Sequence, residues 1–122
     1  MLFRSIFAIV LKDDATLVGA MGLIVNRDHE NAELGYWIGK PYWNQGYATE
    51  AAQAVVDYAF TALRLRRVFA HHFSRNVASG RVLKKIGMHH EGRLRQHVKK
   101  WDRFEDLDTY GIVRADRRRP SA

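Results

Sequence analysis

The sequence has 122 residues, no cysteine and a formal net charge of +7. This length fits one domain with a modest core, and the lack of cysteine excludes disulfide bonds and thiolate chemistry. No apolar run approaches the ~20 residues of a membrane-spanning helix. Residues 1–11 lack the basic start and the small-residue cleavage site of a signal peptide. We therefore expect a cytoplasmic globular protein, monomeric or homodimeric, with no membrane partner.

The positive charge falls into two groups along the chain. One group lies close to the C-terminus and comprises Arg114, Arg117, Arg118 and Arg119. A terminal basic run is usually a solvated tail, so we predict one domain over residues 1–114 and a basic tail over residues 115–122. The second group could neutralise a polyanionic cofactor or a nucleic acid, and it comprises Arg64, Arg66, Arg67, Arg75, Arg81, Lys84 and Lys85. Because no nucleic-acid-binding motif accompanies this charge, a nucleic-acid partner is the less favoured interpretation.

The first third of the chain predicts three antiparallel strands. Residues 5–11 and 16–26 are apolar runs separated by a polar turn. Gly19 and Gly22 interrupt the second run, which indicates a bulge or a close backbone approach. A third run, apolar and aromatic, covers residues 32–39.

The remainder of the chain predicts two helices and three more strands. Small and apolar residues recur with helical spacing over residues 47–63. A strand over residues 68–73 and a helix over residues 76–86 follow, and strands over residues 88–98 and 107–113 close the sheet as a hairpin. The order βββ-α-β-α-ββ predicts an α/β fold of the α+β type with a mixed sheet.

The junction between the third strand and the first helix is the most informative stretch. Pro41 and Gly46 mark a loop, and Thr49 and Glu50 stand at the start of the helix, where a hydroxyl and an acid are favoured. A Gly-containing loop that leads into a helix directs several free N–H groups to one point, which suits a phosphate. The alternative is a plain turn whose N–H groups meet water.

Three segments in order resemble the GNAT N-acetyltransferases. Trp43-Asn44-Gln45-Gly46-Tyr47-Ala48 is similar to the acyl-coenzyme A loop of that superfamily, Arg/Gln-x-x-Gly-x-Gly/Ala, with Trp43 at the Arg/Gln position. The run Ala32 to Ile38 is similar to the branch that acetylates the N-termini of ribosomal proteins. Asn76-x-x-Ser79, followed by Lys85-Ile86-Gly87-Met88, is similar to the same branch.

The resemblance begins at the second strand of the family's fold. It implies that this chain is N-terminally truncated, since the family's first strand and its first two helices have no counterpart here. A mis-assigned start codon, a truncated gene or a compact variant that borrows a wall from a partner chain would each explain this difference. The absent helices usually form one wall of the cleft for the amine acceptor.

The resemblance also implies a set of residues that bind acetyl-CoA as the acetyl donor. The phosphates would meet the loop, and the pantetheine arm would pair with the backbone of the third strand and with the Asn76 amide. These cofactor-binding candidates are Trp37, Ile38, Gln45, Gly46, Tyr47, Ala48, Thr49 and Asn76. The alternative role of Asn76 is to cap the second helix.

Two catalytic residues are implied for the transfer of acetyl to a primary amine. Glu33 would remove a proton from the amine through water, and its alternative is an exposed salt bridge. Many family members protonate the leaving thiolate with a Tyr, but Leu83 holds that position here. Ser79 would instead donate a hydrogen bond to the sulfur, and its alternative role is a helix cap.

The histidines argue against a metal site. His71-His72 and His89-His90 are adjacent pairs in predicted strands, so the members of each pair point to opposite faces. We therefore expect no metal, although His71 or His72 could serve as an alternative base. Three other functions stay open: an acetyl-CoA-binding domain without turnover, a basic nucleic-acid-binding domain, and part of a structural subunit whose sheet another chain completes.

Overall fold

The structure, a computed structural model, describes residues 2–118. Six strands and two α-helices follow one another in the predicted order, which confirms the fold class. They are β1 (Leu2–Val10), β2 (Leu17–Asn26), β3 (Asn31–Ile38), α1 (Tyr47–Thr61), β4 (Arg67–Phe73), α2 (Val77–Lys85), β5 (His89–Lys100) and β6 (Arg103–Val113). Two short 3₁₀ turns cover Lys40–Tyr42 and Arg114–Arg118.

The strands form one mixed sheet in the order β1-β2-β3-β4-β6-β5. β1, β2 and β3 are the predicted antiparallel strands, and β3 pairs with β4 in parallel across the α1 crossover. β6 lies antiparallel between β4 and β5. The register between β1 and β2 shifts directly after the Ile9–Gly19 pair, and a Cβ on Gly19 would stand 2.2 Å from the Trp37 carbonyl oxygen. The close approach expected at Gly19 is therefore confirmed.

Both helices pack on one face of the sheet, and the hydrophobic core lies between the helices and the sheet. α1 buries Ala52, Val55, Val56, Ala59 and Phe60. Facing strand residues that are also buried include Met21, Leu23, Val25, Leu34 and Val68. The small alanine side chains let α1 lie close to the strands. Close packing matters because a fully buried Val or Leu contributes about 1.5–3 kcal/mol only where no gap is left around it. Neither helix within residues 2–118 is long and apolar enough to cross a bilayer.

The closing hairpin is longer than the sequence predicted. β5 continues to Lys100 and β6 begins at Arg103, so only two residues turn the chain. Trp101 and Asp102 both have positive φ, 51° and 61°. This turn lacks the Asn-Gly or Asp-Gly pair typical of tight hairpins, which explains why the strand start at Arg103 was not recognised.

A buried carboxylate joins the two strands of this hairpin. Asp108 is 5% exposed, and its Oδ1 accepts hydrogen bonds from His90 Nε2 at 2.8 Å and from Arg93 Nε at 3.3 Å. The hydrogen bond from His90 and the nearby Arg93 guanidinium hold the pKa of Asp108 well below its usual range, against the opposing effect of burial. The charged Asp108 carboxylate on β6 therefore binds two side chains of β5.

Two arginines of the basic group near the C-terminus contact the rest of the domain. The Arg114 guanidinium donates to the Leu65 carbonyl at 2.8 and 3.1 Å. Arg117 contacts the Asp57 carboxylate and lies 5.4 Å from the ring centroid of Phe60. These contacts dock the Arg114–Arg118 turn against α1 and the loop after it. Arg119 lies outside the described residues, and the domain boundary at residue 114 stays a prediction.

Candidate active site

β3 and β4 separate halfway along their length and leave an opening in the sheet. Their parallel pairing runs from Asn31 opposite Arg67 to Leu34 opposite Ala70. Beyond that point β3 still pairs with β2 as far as Ile38, and β4 still pairs with β6 as far as Phe73. Main-chain groups that face the gap are therefore available for a ligand, since buried backbone groups need a partner.

A cleft of about 250 Å³ enters this opening from the helix side. It is lined by residues that include Tyr36, His72, Asn76 and Ser79. The Tyr36 hydroxyl donates to Ser79 Oγ at 3.4 Å, and burial raises the pKa of Tyr36 while the hydrogen bond to Ser79 opposes that shift. Asn76 Oδ1 accepts the backbone N–H of Ser79 at 3.3 Å. Asn76 thus caps α2, and this cap does not use the N–H donors of its amide.

A groove of about 380 Å³ lies on the other face of the sheet, over β1, β2 and β3. Glu33 and Trp37 line it, as do Arg4 and Ile6. Glu33 Oε2 lies 3.6 Å from Nε2 of His71, whose side chain projects from β4 beside it. Glu33 therefore lies beside His71 and lines a groove, and its role as a base stays a prediction.

Gly35 and Tyr36 line both clefts. A Cβ on Gly35 would meet no atom within 4 Å, so there is free space beside β3 at this point. The groove with Glu33 and the cleft with Ser79 therefore lie on opposite faces of the sheet and share part of β3 as a wall.

The loop before α1 presents free N–H groups, as expected. Gly46 is the residue before the helix and has φ +80°, a left-handed conformation that favours glycine. Within the described residues no side chain caps this helix start, and a Cβ on Gly46 would meet nothing within 4 Å. The first N–H groups of an α-helix have no partner inside the helix, so Tyr47, Ala48 and Thr49 can offer theirs to an anion.

Two side chains fix the shape of this loop. Gln45 Nε2 donates to the Pro41 carbonyl at 3.1 Å. Trp43 Nε1 donates to the Ile38 carbonyl at 2.7 Å. Trp43, which stands at the Arg/Gln position of the motif, therefore ties the loop to the end of β3.

His72 lies beneath α2, and one of its ring nitrogens has no hydrogen-bond partner among the described residues. His72 Nδ1 lies 2.6 Å from the Phe73 carbonyl oxygen. A carbonyl only accepts, so Nδ1 carries the hydrogen and Nε2 is an acceptor. Nε2 is buried and has no partner among the described residues. A Cβ on Gly80 would lie 2.9 Å from it, which explains a glycine in the middle of α2.

The structure brings some predicted site residues together and separates others. Asn76 and Ser79 lie on the helix side of the opening, whereas Glu33 and the Trp37 side chain lie on the other side. Three arginines of the second basic group are paired with acids, in the pairs Arg66–Glu30, Arg67–Glu91 and Arg75–Glu105. Within residues 2–118, no group of three or more His, Asp and Glu side chains could hold a metal.

Sequence reasoning missed the side chain of Tyr36. It treated the Tyr36 region as a source of backbone contacts only. Strand periodicity could have found it, because Ala32, Leu34 and Tyr36 alternate onto the face that α1 and α2 cover. Alternation thus places the Tyr36 side chain on the face of the helices, and the structure shows its hydroxyl at Ser79.

Comparison with known proteins identifies the family. Residues 3–89 match the family model described as an acetyltransferase (GNAT) domain. The chain belongs to the GNAT acetyltransferase family. Acetyl-CoA is the acetyl donor of this family.

Individual relatives agree with the family assignment. The chain is 35% identical over 107 residues to "Uncharacterized N-acetyltransferase YnaD" of Bacillus subtilis, which covers 88% of this chain and 63% of the relative. It is 33% identical over 105 residues to "Putative ribosomal N-acetyltransferase YdaF" of the same organism, covering 84% and 57%. A crystal structure of a GNAT-family acetyltransferase from Bacillus anthracis superposes with a TM-score of 0.83 at 32% identity, covering 88% and 65%. The GNAT domain therefore spans about three fifths of the length of these curated relatives.

Proposed function

We propose that this GNAT domain binds acetyl-CoA and transfers the acetyl group to a primary amine by direct attack. The observation that supports this proposal best is the separation of β3 and β4 beyond Leu34, next to a cleft with hydroxyls and a groove with an acid that share Gly35 and Tyr36 as lining residues. Direct transfer requires donor and acceptor to be held at one point, and the shared wall at Gly35 and Tyr36 would be that point. The acceptor would be a protein N-terminus or a small amine.

Donor binding is proposed to use the loop before α1 and the helix side of the opening. The N–H groups that follow Gly46 would hold the pyrophosphate, since a helix start favours negative charge. The free backbone groups of β3 and the Asn76 amide N–H donors would hold the pantetheine arm. Gln45 and Trp43 would act by fixing the loop, because both side chains already bond to the backbone.

The acceptor amine is proposed to enter by the groove that contains Glu33. An amine attacks only when neutral, and a carboxylate within reach can take its proton directly or through water. His71 lies beside Glu33 and has its Nδ1 buried without a partner among the described residues. His71 would therefore hold the Glu33 carboxylate in place, and it is the second candidate for the base.

Charge also favours a small-molecule function over nucleic-acid binding. Three arginines of the central basic group already pair with carboxylates, and Arg114 and Arg117 bind the domain itself. The charge left for a polyanion is therefore smaller than the sequence suggests. Cytoplasmic location and a monomeric or homodimeric state stay predictions.

The first experiment is calorimetric titration of the chain with acetyl-CoA, using two substitutions at one position. Gly46→Ala and Gly46→Glu share the strain of a side chain at φ +80°, so both should lower stability by about 1 kcal/mol. Only Gly46→Glu places a carboxylate where the phosphates would bind. At an effective dielectric constant of ~20 this repulsion should weaken binding on the order of 100-fold, while Gly46→Ala should bind nearly as tightly as the wild type.

The second experiment is an acceptor screen with the same protein. Suitable probes are peptides with a free N-terminal Ala or Ser, spermidine and single amino acids. Glu33→Gln should lower kcat by about 10²–10⁴-fold, whereas Glu30→Gln, on the exposed turn before β3, should not. Absence of acetyl-CoA binding by a folded chain would refute the proposed function. Binding without acetylation of any amine would favour the domain without turnover.

A further inference from the structure

The hydroxyls of Tyr36 and Ser79 form a chain that ends at the opening. Tyr36 projects from β3 and Ser79 from the first turn of α2, and the Tyr36 O–H donates to Ser79 Oγ at 3.4 Å. Both residues line the cleft on the helix side. Because Ser79 accepts from Tyr36, its own hydrogen is free to point elsewhere, and a hydroxyl both donates and accepts.

No phenol from α2 can play this part. Leu83, where many GNAT proteins have a tyrosine, is 1% exposed and belongs to the core. Ser79 alone is a poor proton source, because an alcohol is far less acidic than a phenol with its ordinary pKa of about 10. The Tyr36 phenol reaches the Ser79 hydroxyl from β3 and would supply the phenol O–H that α2 lacks.

We propose that Tyr36 is a positioning residue that acts through Ser79 to stabilise the departing sulfur of coenzyme A. This inference rests on the proposed function. The Tyr36 hydrogen bond fixes the rotamer of the Ser79 hydroxyl and polarises its O–H, so that Ser79 becomes the direct donor to sulfur. Hydrogen bonds in a chain strengthen one another, which makes the pair a better donor than either hydroxyl alone.

The proton balance of the step is closed by exchange with water. As the carbon–nitrogen bond forms and the carbon–sulfur bond breaks, the Ser79 hydroxyl donates a hydrogen bond to the sulfur, which departs as the thiolate. The attacking nitrogen loses one proton to Glu33, which passes it to water. The thiolate then takes one proton from water. One proton leaves the amine and one arrives at the thiol, so no further reactant is needed.

The test measures the acidity of the coenzyme A thiol while it is bound, which requires no acceptor. The thiolate absorbs in the ultraviolet, so a pH titration of the complex reports its pKa. Donors to sulfur stabilise the thiolate, and loss of one should raise the pKa of the bound thiol. We expect a rise of about half to one unit in Tyr36→Phe and a similar or larger rise in Ser79→Ala.

A double variant separates a relay from two independent contacts. If Tyr36 acts only through Ser79, Tyr36→Phe should have no further effect once Ser79→Ala is present. A fluorinated tyrosine at position 36, a stronger donor of the same shape, should lower the thiol pKa below the wild-type value. Tyr58→Phe, on the exposed side of α1, is the matched control and should leave it unchanged.

Each result decides between the two proposals. Additive shifts in the double variant, or a Tyr36→Phe complex whose thiol titrates like the wild type, would overturn the role of Tyr36 and leave the proposed function standing. A folded chain that fails to bind coenzyme A would overturn both. Thermal unfolding of every variant shows whether a shift in the titration reflects loss of folded protein.

Discussion

Removal of the buried charge at Asp108 tests how the closing hairpin is held. Asp108→Asn keeps the shape of the side chain but replaces a carboxylate oxygen with an amide N–H₂ that faces two donors, His90 and Arg93. An unsatisfied polar group in a buried position costs about 1–3 kcal/mol, and charge-assisted bonds are roughly twice as strong as neutral ones.

The size of the effect follows from the exposure of the partners. His90 and Arg93 have side chains that are 48% and 56% exposed, so water stabilises them after the carboxylate is lost. We therefore expect a loss of about 2 kcal/mol, below the 3–5 kcal/mol of a fully buried pair. For a domain of this size that corresponds to a fall in Tm of about 6–10 °C.

The pH dependence fixes the sign of the prediction. The folded-state pKa of Asp108 is lowered, so its contribution to stability is full above the unfolded-state pKa of about 3.9. That contribution is lost as the pH falls towards the folded-state pKa. The difference in unfolding free energy between wild type and Asp108→Asn should thus shrink below about pH 4.

Urea unfolding at a series of pH values measures this difference directly. Asp102→Asn is the matched control, because its side chain is 99% exposed and its contact with Lys99 is 3.9 Å long. It should change stability by less than about 0.5 kcal/mol at every pH. If the difference for Asp108→Asn stays the same down to about pH 3, or never reaches about 1 kcal/mol, the Asp108 charge does not hold the hairpin in this way.

Substitutions at three further positions probe α2 and β5. Gly80→Ala should lower stability by about 1 kcal/mol, although alanine has the better helix propensity, because its Cβ displaces His72. In a His72→Ala background the same Gly80→Ala change should be stabilising, which thermal unfolding measures. Glu91→Gln should cost about 0.5–1 kcal/mol in urea unfolding, since its pair with Arg67 is one third exposed, and about 1 M salt should remove most of the effect. Asn76→Ala should lose the helix cap, about 1 kcal/mol, whereas Asn76→Asp should keep the cap but weaken acetyl-CoA binding in calorimetry, because it lacks the amide N–H donors.

The fold could be predicted from the sequence largely because each element carries its own boundary signal. Asn76 and Gly87 bracket α2, and Gly87 has the positive φ of a helix-terminating glycine, 93°. The turn at Trp101 lacks such a signal, so the predicted strands of the hairpin are shorter than the observed ones. The docking of Arg117 could not be foreseen, since it depends on Asp57, sixty positions away in the chain.

The sequence predicts the local parts of the candidate site but not the pairs of side chains that join different elements. The loop at Gly46 is a local motif, and its conformation follows from neighbouring residues. The pairs Tyr36–Ser79 and Glu33–His71 join different elements, so they depend on strand register and on where β3 and β4 part. Alternation along β3 indicates which face each side chain takes, but not which side chain of the next element it meets.

The opening between β3 and β4 has a consequence for the order of events in the proposed transfer. Because Glu33 and Ser79 lie on opposite sides of the sheet, the two substrates would have separate entrances, and neither would have to leave before the other arrives. Initial-rate plots at several fixed concentrations of the second substrate should then intersect, as they do for a ternary complex, and should not run parallel. The products would also depart by different routes, so free coenzyme A should compete with acetyl-CoA but not with the amine.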